Sequence, residues 1–317
     1  MVSIALGLSA SCFSIYTLSH LVVIAGESIT MLLREFSILF GSESSDSQRR
    51  RNEEMSSGGQ VRLISFLIIG LVIGMGIGYI LPSFIAPADD LDMIQNRGYL
   101  IVGTNTNWPP FEIYNTTTGV IEGFDIDLAN IVADYLNVTT QWIDMDFDAL
   151  IGACQSGTID MIASATFITP ARCKVLQPLT WYIRTNEVIV TKANSTLTIS
   201  SLEDLVGYDV GAQTGTTEDE ELSAISGMEA TLTRYPVVET MFQALDAGTL
   251  DAIYVDEPIV GLYSATYSVK IIFTVTAPPT AFYIRYGSDR LSAACNSAIS
   301  LAFADGSLDA LIQKWFG

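Results

Sequence analysis

One seven-residue phrase of this chain recurs with its Gly, Thr, Asp and final Ile in place. Ser156-Gly157-Thr158-Ile159-Asp160-Met161-Ile162 returns as Ala247-Gly248-Thr249-Leu250-Asp251-Ala252-Ile253. Each copy comes after an apolar, helix-like run, Ala149–Cys154 in the first case and Met241–Leu245 in the second. Each reads as a helix, a glycine stop and a short buried strand. Gly157 and Gly248 end the helices in the left-handed conformation that other residues avoid. The continuations differ. The first copy leads into Ser164–Arg172, with a single arginine; the second leads into Asp256-Glu257-Pro258. Ligands of open α/β sheets bind beyond the carboxyl ends of the strands. Two such units, one near a cation and one near carboxylates, suit a cleft that grips a zwitterion. Such turns are also common in α/β proteins, so the echo alone does not establish two lobes.

The flanking sequence extends the alternation. Short buried strands are expected at Leu100–Val102, Thr140–Ile143, Met161–Ala163, Val188–Val190, Tyr208–Val210, Ile253–Val255 and Ile271–Phe273. Between them lie helical patterns. Asp89–Arg97 reads as a lead-in helix, and Asp125 or Asp127 as the cap of a helix reaching Leu136. Leu128, Ile131, Val132 and Tyr135 fall on one helical face, as do Phe147, Leu150, Ile151 and Cys154. Ser292–Phe303 and Leu308–Trp315 read as closing helices. Strands alternating with helices argue a mostly parallel sheet covered on both faces. Residues 88–317 hold too many elements for one small sheet, so two α/β lobes are expected.

Leu63–Ile85 carries no charged residue over 23 positions, enough to span a hydrocarbon core. Arg49, Arg50, Arg51 and Arg62 precede it and Asp89, Asp90 and Asp92 come after it, so the C-terminal portion is expected outside. A cleaved signal peptide is the alternative, with Ala86-Pro87-Ala88 as small residues for a peptidase. Residues 1–54 stay open: Val2–Ala25 is either a second membrane segment or part of upstream sequence ahead of a start at Met55. Residues 88–317 hold 29 acidic residues against 10 basic, without a basic cluster, which makes a poor nucleic-acid binder. Cys154 and Cys173 are the nearest cysteine pair beyond the apolar run, as a bridge or as two small buried thiols.

The sole histidine is His20. The exported part therefore holds no Ser-His or Cys-His nucleophile system, and it shows no P-loop and no metal-ligand spacing. It does hold Arg172, several carboxylates and the loop aromatics Trp108, Phe147, Phe167 and Tyr182. That set suits binding better than turnover.

A series of phrases occurs in order: Arg97-Gly98-Tyr99-Leu100-Ile101-Val102-Gly103-Thr104, Trp108-Pro109-Pro110-Phe111, Gly123-Phe124-Asp125-Ile126-Asp127-Leu128-Ala129, Phe147-Asp148-Ala149-Leu150-Ile151, Thr169 with Arg172, Gln213-Thr214-Gly215-Thr216-Thr217 and Lys314-Trp315-Phe316-Gly317. Together they resemble the extracellular solute-binding proteins of family 3, the polar amino-acid receptors of ABC importers, over about 91–317. The resemblance implies a two-lobed periplasmic-binding-protein-like α/β fold (type II), here behind an N-terminal transmembrane helix at 63–85. Lobe one would comprise 91–183 with 279–317, and lobe two 184–278, joined by two strand crossings. The implied partners are an amino-acid ligand, ABC permease and ATPase subunits, and the membrane through residues 63–85; no cofactor or metal is implied.

Residue by residue, the resemblance places Arg172 on the ligand α-carboxylate, where a planar fork gives two parallel charge-assisted bonds. Thr217 meets the same carboxylate at a helix start. Asp256 takes the α-ammonium, while its neighbour Glu257 is solvated. Trp108 and Phe147 sandwich the ligand. Ser164, Ala165 and Phe167 form the stretch below it. Phe167 stands where the family often has a hydroxyl residue, so contacts there come from backbone. Asn105 stands where binders of basic amino acids often carry an acid, which points to a neutral polar ligand. Two other readings share the fold. A sensor would need a signalling region. A dehydratase-like enzyme would draft Glu218 or Glu187 as acid or base, without a partner the sequence identifies.

Overall fold

The protein is described from a computed structural model covering residues 90–317, which lie within one compact unit, Ala86–Gly317. The expected membrane segment at 63–85 and the segment 1–54 lie outside the described residues. No helix among the described residues is long and apolar enough to cross a membrane.

The first half runs α1 (Asp90–Arg97), β1 (Tyr99–Thr104), β2 (Asn107–Trp108), β3 (Glu112–Asn115), β4 (Val120–Glu122), α2 (Phe124–Tyr135), β5 (Thr139–Asp144), α3 (Leu150–Ser156), β6 (Met161–Ile162) and β7 (Gln177–Pro178). The second half runs β8 (Asn186–Lys192), β9 (Val210–Gln213), α4 (Thr217–Ser223), β10 (Leu232–Tyr235), α5 (Val238–Ala247), β11 (Ala252–Asp256), α6 (Glu257–Tyr263) and β12 (Val269–Thr276). The chain then returns through β13 (Tyr283–Ile284) to α7 (Asp289–Asp305) and α8 (Ser307–Phe316).

Two five-stranded sheets result, ordered β5-β1-β6-β13-β7 and β10-β9-β11-β8-β12. In each, three parallel strands are flanked by an antiparallel neighbour: β13 against β6 in the first sheet, β8 against β11 in the second. A small antiparallel sheet, β2-β3-β4, caps the first lobe.

Strand periodicity explains the layers. On β1, Leu100 and Val102 enter a cluster with Phe124, Leu128 and Val132 of α2 and Ile299 of α7. The alternate residue Ile101 packs with Leu150 and Cys154 of α3 on the opposite face. On β8, Val188 and Val190 face Met241, Phe242 and Leu245 of α5, while Ile189 faces Leu222 of α4. Successive strand side chains point to opposite faces, so these runs must be covered on both sides. Each large apolar side chain buried this way contributes about 1.5–3 kcal/mol.

The two crossings between lobes lie side by side. Tyr182 N–H donates to Thr280 O at 3.0 Å, Thr280 N–H to Ile183 O at 3.0 Å and Leu179 N–H to Phe282 O at 2.9 Å. A hydrogen-bonded two-strand connection can flex without parting.

Two local expectations change, and one open alternative is decided. The helix expected to be capped by Asp125 or Asp127 begins ahead of both, at Phe124, behind Gly123, with no side-chain cap. Asp125 is instead a buried acceptor, and Asp127 accepts from Lys314 Nζ and Trp315 Nε1 at 2.7 and 2.8 Å. The strand expected at 208–210 starts at Val210, because Gly207 and Tyr208 belong to the turn before it. Cys154 and Cys173 are free thiols, and burial pushes the Cys154 thiol up to about 12.

Candidate functional site

The glycine stops expected from sequence are built in parallel. Gly157 ends α3 at φ 76°, and Gly248 ends α5 at φ 78°. Gly157 N–H reaches Cys154 O at 3.1 Å and Thr158 N–H reaches Ala153 O at 2.9 Å; Gly248 and Thr249 repeat this with Leu245 O and Ala244 O at 3.1 and 3.0 Å. These bonds satisfy carbonyls that a helix end leaves open. β6 then enters beside β1 and β11 beside β9. Both segments emerge at the same small cavity, about 10 Å³ in volume.

Trp108, Phe147, Ser164, Ala165, Phe167 and Arg172 line it from one side, and Thr216, Thr217, Glu218 and Asp256 from the other. All the candidate site residues are therefore at this cavity except Asn105. The Asn105 amide donates to Met145 O at 2.8 Å and its oxygen accepts from Gln213 Nε2 at 2.9 Å and Asn107 Nδ2 at 2.7 Å. It stands outside the lining, with its side chain bonded within its own lobe and across to the other.

Arg172 stands on a single turn of 3-10 helix, Arg172–Lys174, whose backbone is fastened by Arg172 N–H to Thr169 Oγ1 at 3.2 Å. The residue is 2% exposed. Nη1 donates to Phe167 O at 3.1 Å and Nη2 to Gly215 O of the other lobe at 3.4 Å, while Nε is buried without a partner. The Phe147 ring centroid lies 5.4 Å from its Cζ, a cation–π geometry. None of the ion pairs among the described residues includes Arg172. A buried cation held only by carbonyls and a ring keeps its demand for an anion.

Asp256 ends β11 and precedes α6, with Pro258 in the first turn. Its Oδ2 accepts from Trp108 Nε1 at 2.8 Å, a bond that crosses between lobes, and its Oδ1 is buried without a partner. Burial pushes its carboxyl well above the usual range, against the Trp108 bond, which lowers it; the Glu187 charge adds to the rise. Thr217 opens α4, one residue after the Thr216 cap, whose hydroxyl accepts from Asp219 N–H at 3.3 Å.

The floor is less available than expected. Ala165 N–H donates to Asp125 Oδ2 at 2.8 Å, and Ser164 Oγ donates to Glu112 Oε1 at 2.9 Å and accepts from Asn105 N–H at 3.1 Å. Ala165 has φ 44°, a left-handed conformation costly for a residue with a Cβ. Two buried acids thus hold this loop: Asp125, pushed up to about 7 by burial, and Glu112, pushed well above its range by burial and by Asp125. Neither was expected in this role. Asp125 read only as a helix cap, and Glu112 fell in none of the motifs.

Sequence reasoning also missed Gln213. Its amide spans the lobes, reaching Asn105 Oδ1 at 2.9 Å and Asn107 Oδ1 at 3.3 Å, while holding Pro236 O at 2.9 Å on its own side. Together with the Trp108–Asp256 and Arg172–Gly215 bonds it closes the cleft. A volume of about 10 Å³ admits one water and no more. Anything larger must part the lobes or displace the Trp108–Asp256 bond. A wider recess of about 350 Å³ lies by the crossings, lined by Arg184, Asn186, Glu257 and Thr276 among others, but its Glu257 is exposed and already accepts from Asn186 Nδ2 at 2.9 Å.

Known proteins share both the sequence pattern and the fold. The sequence profile of the bacterial extracellular solute-binding proteins, family 3, matches residues 100–317. The L-cystine-binding protein TcyJ of Escherichia coli (strain K12) is 29% identical over 269 residues, which is 82% of this chain and 96% of that protein. A crystal structure of a mutant ArgBP from T. maritima superposes with a TM-score of 0.68 at 33% identity, over 71% of this chain and 98% of that one. The ancestral amino acid-binding protein AncCDT-1, a precursor of cyclohexadienyl dehydratase, gives 0.66 at 30% identity, over 73% and 100%.

Proposed function

The chain belongs to the bacterial extracellular solute-binding proteins, family 3, and from that membership we propose that it is the substrate-binding component of an ABC importer. It captures a polar L-amino acid between its lobes, 91–183 with 279–317 and 184–278, and delivers it to a permease. One observation carries the reading: Arg172 and Asp256, opposite in charge and buried, come from different lobes and line one cavity. A zwitterion answers both demands at once. Its carboxylate takes the Arg172 fork with Thr217, and its ammonium takes Asp256. Trp108 and Phe147 close over the aliphatic part, and Ser164, Ala165 and Phe167 shape the floor.

A ligand that touches both lobes favours the closed arrangement by its differential affinity. The importer then meets a shape that reports occupancy. The domain works on the extracytoplasmic side, and residues 63–85 tether it at the membrane beside its permease, where the effective concentration is high. The site binds without turnover. Titration calorimetry of the full chain in detergent against the twenty amino acids tests the proposal. At least one should bind and be recovered unchanged; silence from all of them, or release of a product from any, overturns it.

A further inference from the structure

Three carboxyl groups converge on one side of the cleft: Glu187 from β8, Glu218 from the first turn of α4 and Asp256 from the end of β11. One oxygen of each lies within 4.8 Å of the others. All three residues are at most 2% exposed. Each is held by one oxygen and left open at the other. Glu187 Oε2 accepts from the Tyr254 hydroxyl at 3.1 Å, Asp256 Oδ2 accepts from Trp108 Nε1 at 2.8 Å, and Glu218 Oε2 accepts from Thr217 Oγ1 at a long 3.4 Å. Glu187 Oε1, Glu218 Oε1 and Asp256 Oδ1 are buried with no hydrogen-bond partner. Glu218 and Asp256 line the cavity itself, and Glu187 supports them from the neighbouring strand.

Charge counting then separates ligands. An amino acid brings one carboxylate for Arg172 and one ammonium for Asp256. Glu218 and Glu187 remain, and a buried carboxylate is either paired or neutralised by a proton. Burial, then Asp256 and Glu187, push Glu218 well above the carboxylate range; burial, then Glu221, push Glu187 to about 7. The charged and phenolic groups facing this cluster are Arg172, Glu221 and Tyr254, and among the described residues Arg172 is the cation that acts on it. The opposite wall is aromatic: Trp108, Phe147 and Phe167 line the same cavity. Aromatic faces opposite carboxylates attract organic cations. A hard divalent ion wants six or more oxygen ligands, which rings do not supply.

We propose that Glu218, supported by Glu187, forms a second-cation subsite, and that the ligand is an L-amino acid whose side chain is itself cationic. The inference rests on the amino-acid-binding function above and narrows it. The side-chain cation sits between the open oxygens of Glu218 and Glu187 and the aromatic wall. It replaces the protons those groups hold, so binding near neutral pH releases protons to the buffer.

The test is calorimetry on the full chain in detergent with a near-isosteric pair, L-arginine and L-citrulline, and with calcium and magnesium chloride alone. Arginine should bind at least about thirtyfold more tightly than citrulline, the scale of one buried charge pair. Its measured enthalpy should vary with the ionisation enthalpy of the buffer. Glu218→Gln should lower arginine affinity at least about tenfold and shrink the ratio. The wild-type ratio stands as a test by itself where the variant does not fold. Equal affinity for both members overturns the subsite and leaves amino-acid binding intact. Calcium or magnesium binding without an arginine preference assigns the three carboxylates to a metal instead. Failure of every amino acid to bind overturns the function itself.

Discussion

The two repeated turns make the same structure and deliver opposite chemistry. After Gly157 the Asp160 carboxylate accepts from Ile101 N–H on β1 at 2.7 Å; after Gly248 the Asp251 carboxylate accepts from Asp209 N–H beside β9 at 3.0 Å. The aspartate backbones repeat the match, with Asp160 N–H to Ile101 O at 2.8 Å and Asp251 N–H to Asp209 O at 2.7 Å. Glycine, aspartate and the apolar residues after them therefore serve the scaffold in both lobes. The lobes part company only beyond the strands. One leads to a buried guanidinium without a carboxylate partner; the other ends on a carboxylate beside two more. A duplicated frame fixes where the cleft is, and the few residues after each copy decide what it holds.

The largest expected effect comes from removing the only cation of the first unit's arm. Arg172→Ala should weaken amino-acid binding by about thirtyfold to several thousandfold, the range for truncating one partner of a buried charged pair. The fold should persist, because Arg172 gives the scaffold only two carbonyl bonds. Calorimetry with circular dichroism on the same sample checks both halves. Affinity within threefold of wild type would show that the two arms do not divide the ligand as argued. Asp256→Asn probes the other arm and should cost less, about tenfold to a hundredfold, the scale of one hydrogen bond to a charge. The asparagine keeps an acceptor for Trp108 Nε1, so the loss reads the charge rather than the closure.

The arms also predict an asymmetric response to pH. In the acidic cluster and under the Ser164–Ala165 floor, Glu112, Asp125, Glu187, Glu218 and Asp256 are all raised, with burial as the first cause. A carboxyl raised to about 7, as for Glu187 and Asp125, keeps its proton in the folded chain where the unfolded chain has lost it. Folding then binds protons between roughly pH 4 and 7. Stability is therefore highest at the acid end of that window and falls as pH rises through it. The thermal midpoint should drop by several degrees from pH 5 to pH 8, and a saturating ligand should shrink the drop by pairing the cleft carboxylates. A flat profile would place these acids in solvent.

The fold was legible because it rests on patterns of period: the strands at Val188–Val190 and Ile253–Val255 read as buried runs and are buried, as is Leu100–Val102 apart from the half-buried Ile101. The pieces that escaped are short. β7 and β13 have two residues each, and their pairing depends on partners more than a hundred residues away. At the site, Trp108, Phe147, Arg172, Thr217 and Asp256 were visible through family motifs, and they meet at one cavity. Glu187 and Glu218 were visible only as carboxylates without a partner. Their meaning depends on β8 lying antiparallel to β11, which brings Glu187 opposite Asp256, a register no local pattern encodes. Asn105 likewise stands where no local pattern places it, outside the cavity lining. Its side chain is claimed by Gln213 from the other lobe.

The smallest effect tests whether the two turns are as alike as their bonds suggest. Both glycines have φ near 77°, so alanine at either position takes the left-handed cost of about 1–2 kcal/mol. Their surroundings differ. A Cβ on Gly157 would collide with Nη1 of Arg285, whose guanidinium pairs with Asp90. A Cβ on Gly248 would stand 3.3 Å from Lys192 Nζ, the free end of a flexible side chain. Gly157→Ala should therefore lower the thermal midpoint more than Gly248→Ala, by the worth of disturbing a partly exposed ion pair, about 0.2–1 kcal/mol or a few degrees at most in a domain of this size. Raising the salt concentration should narrow the gap, because screening weakens the Arg285–Asp90 pair that only the first turn touches. Equal losses in both variants at low salt would mean that backbone conformation alone sets the cost. A larger loss at Gly248 would mean the second turn carries a constraint that the first does not share.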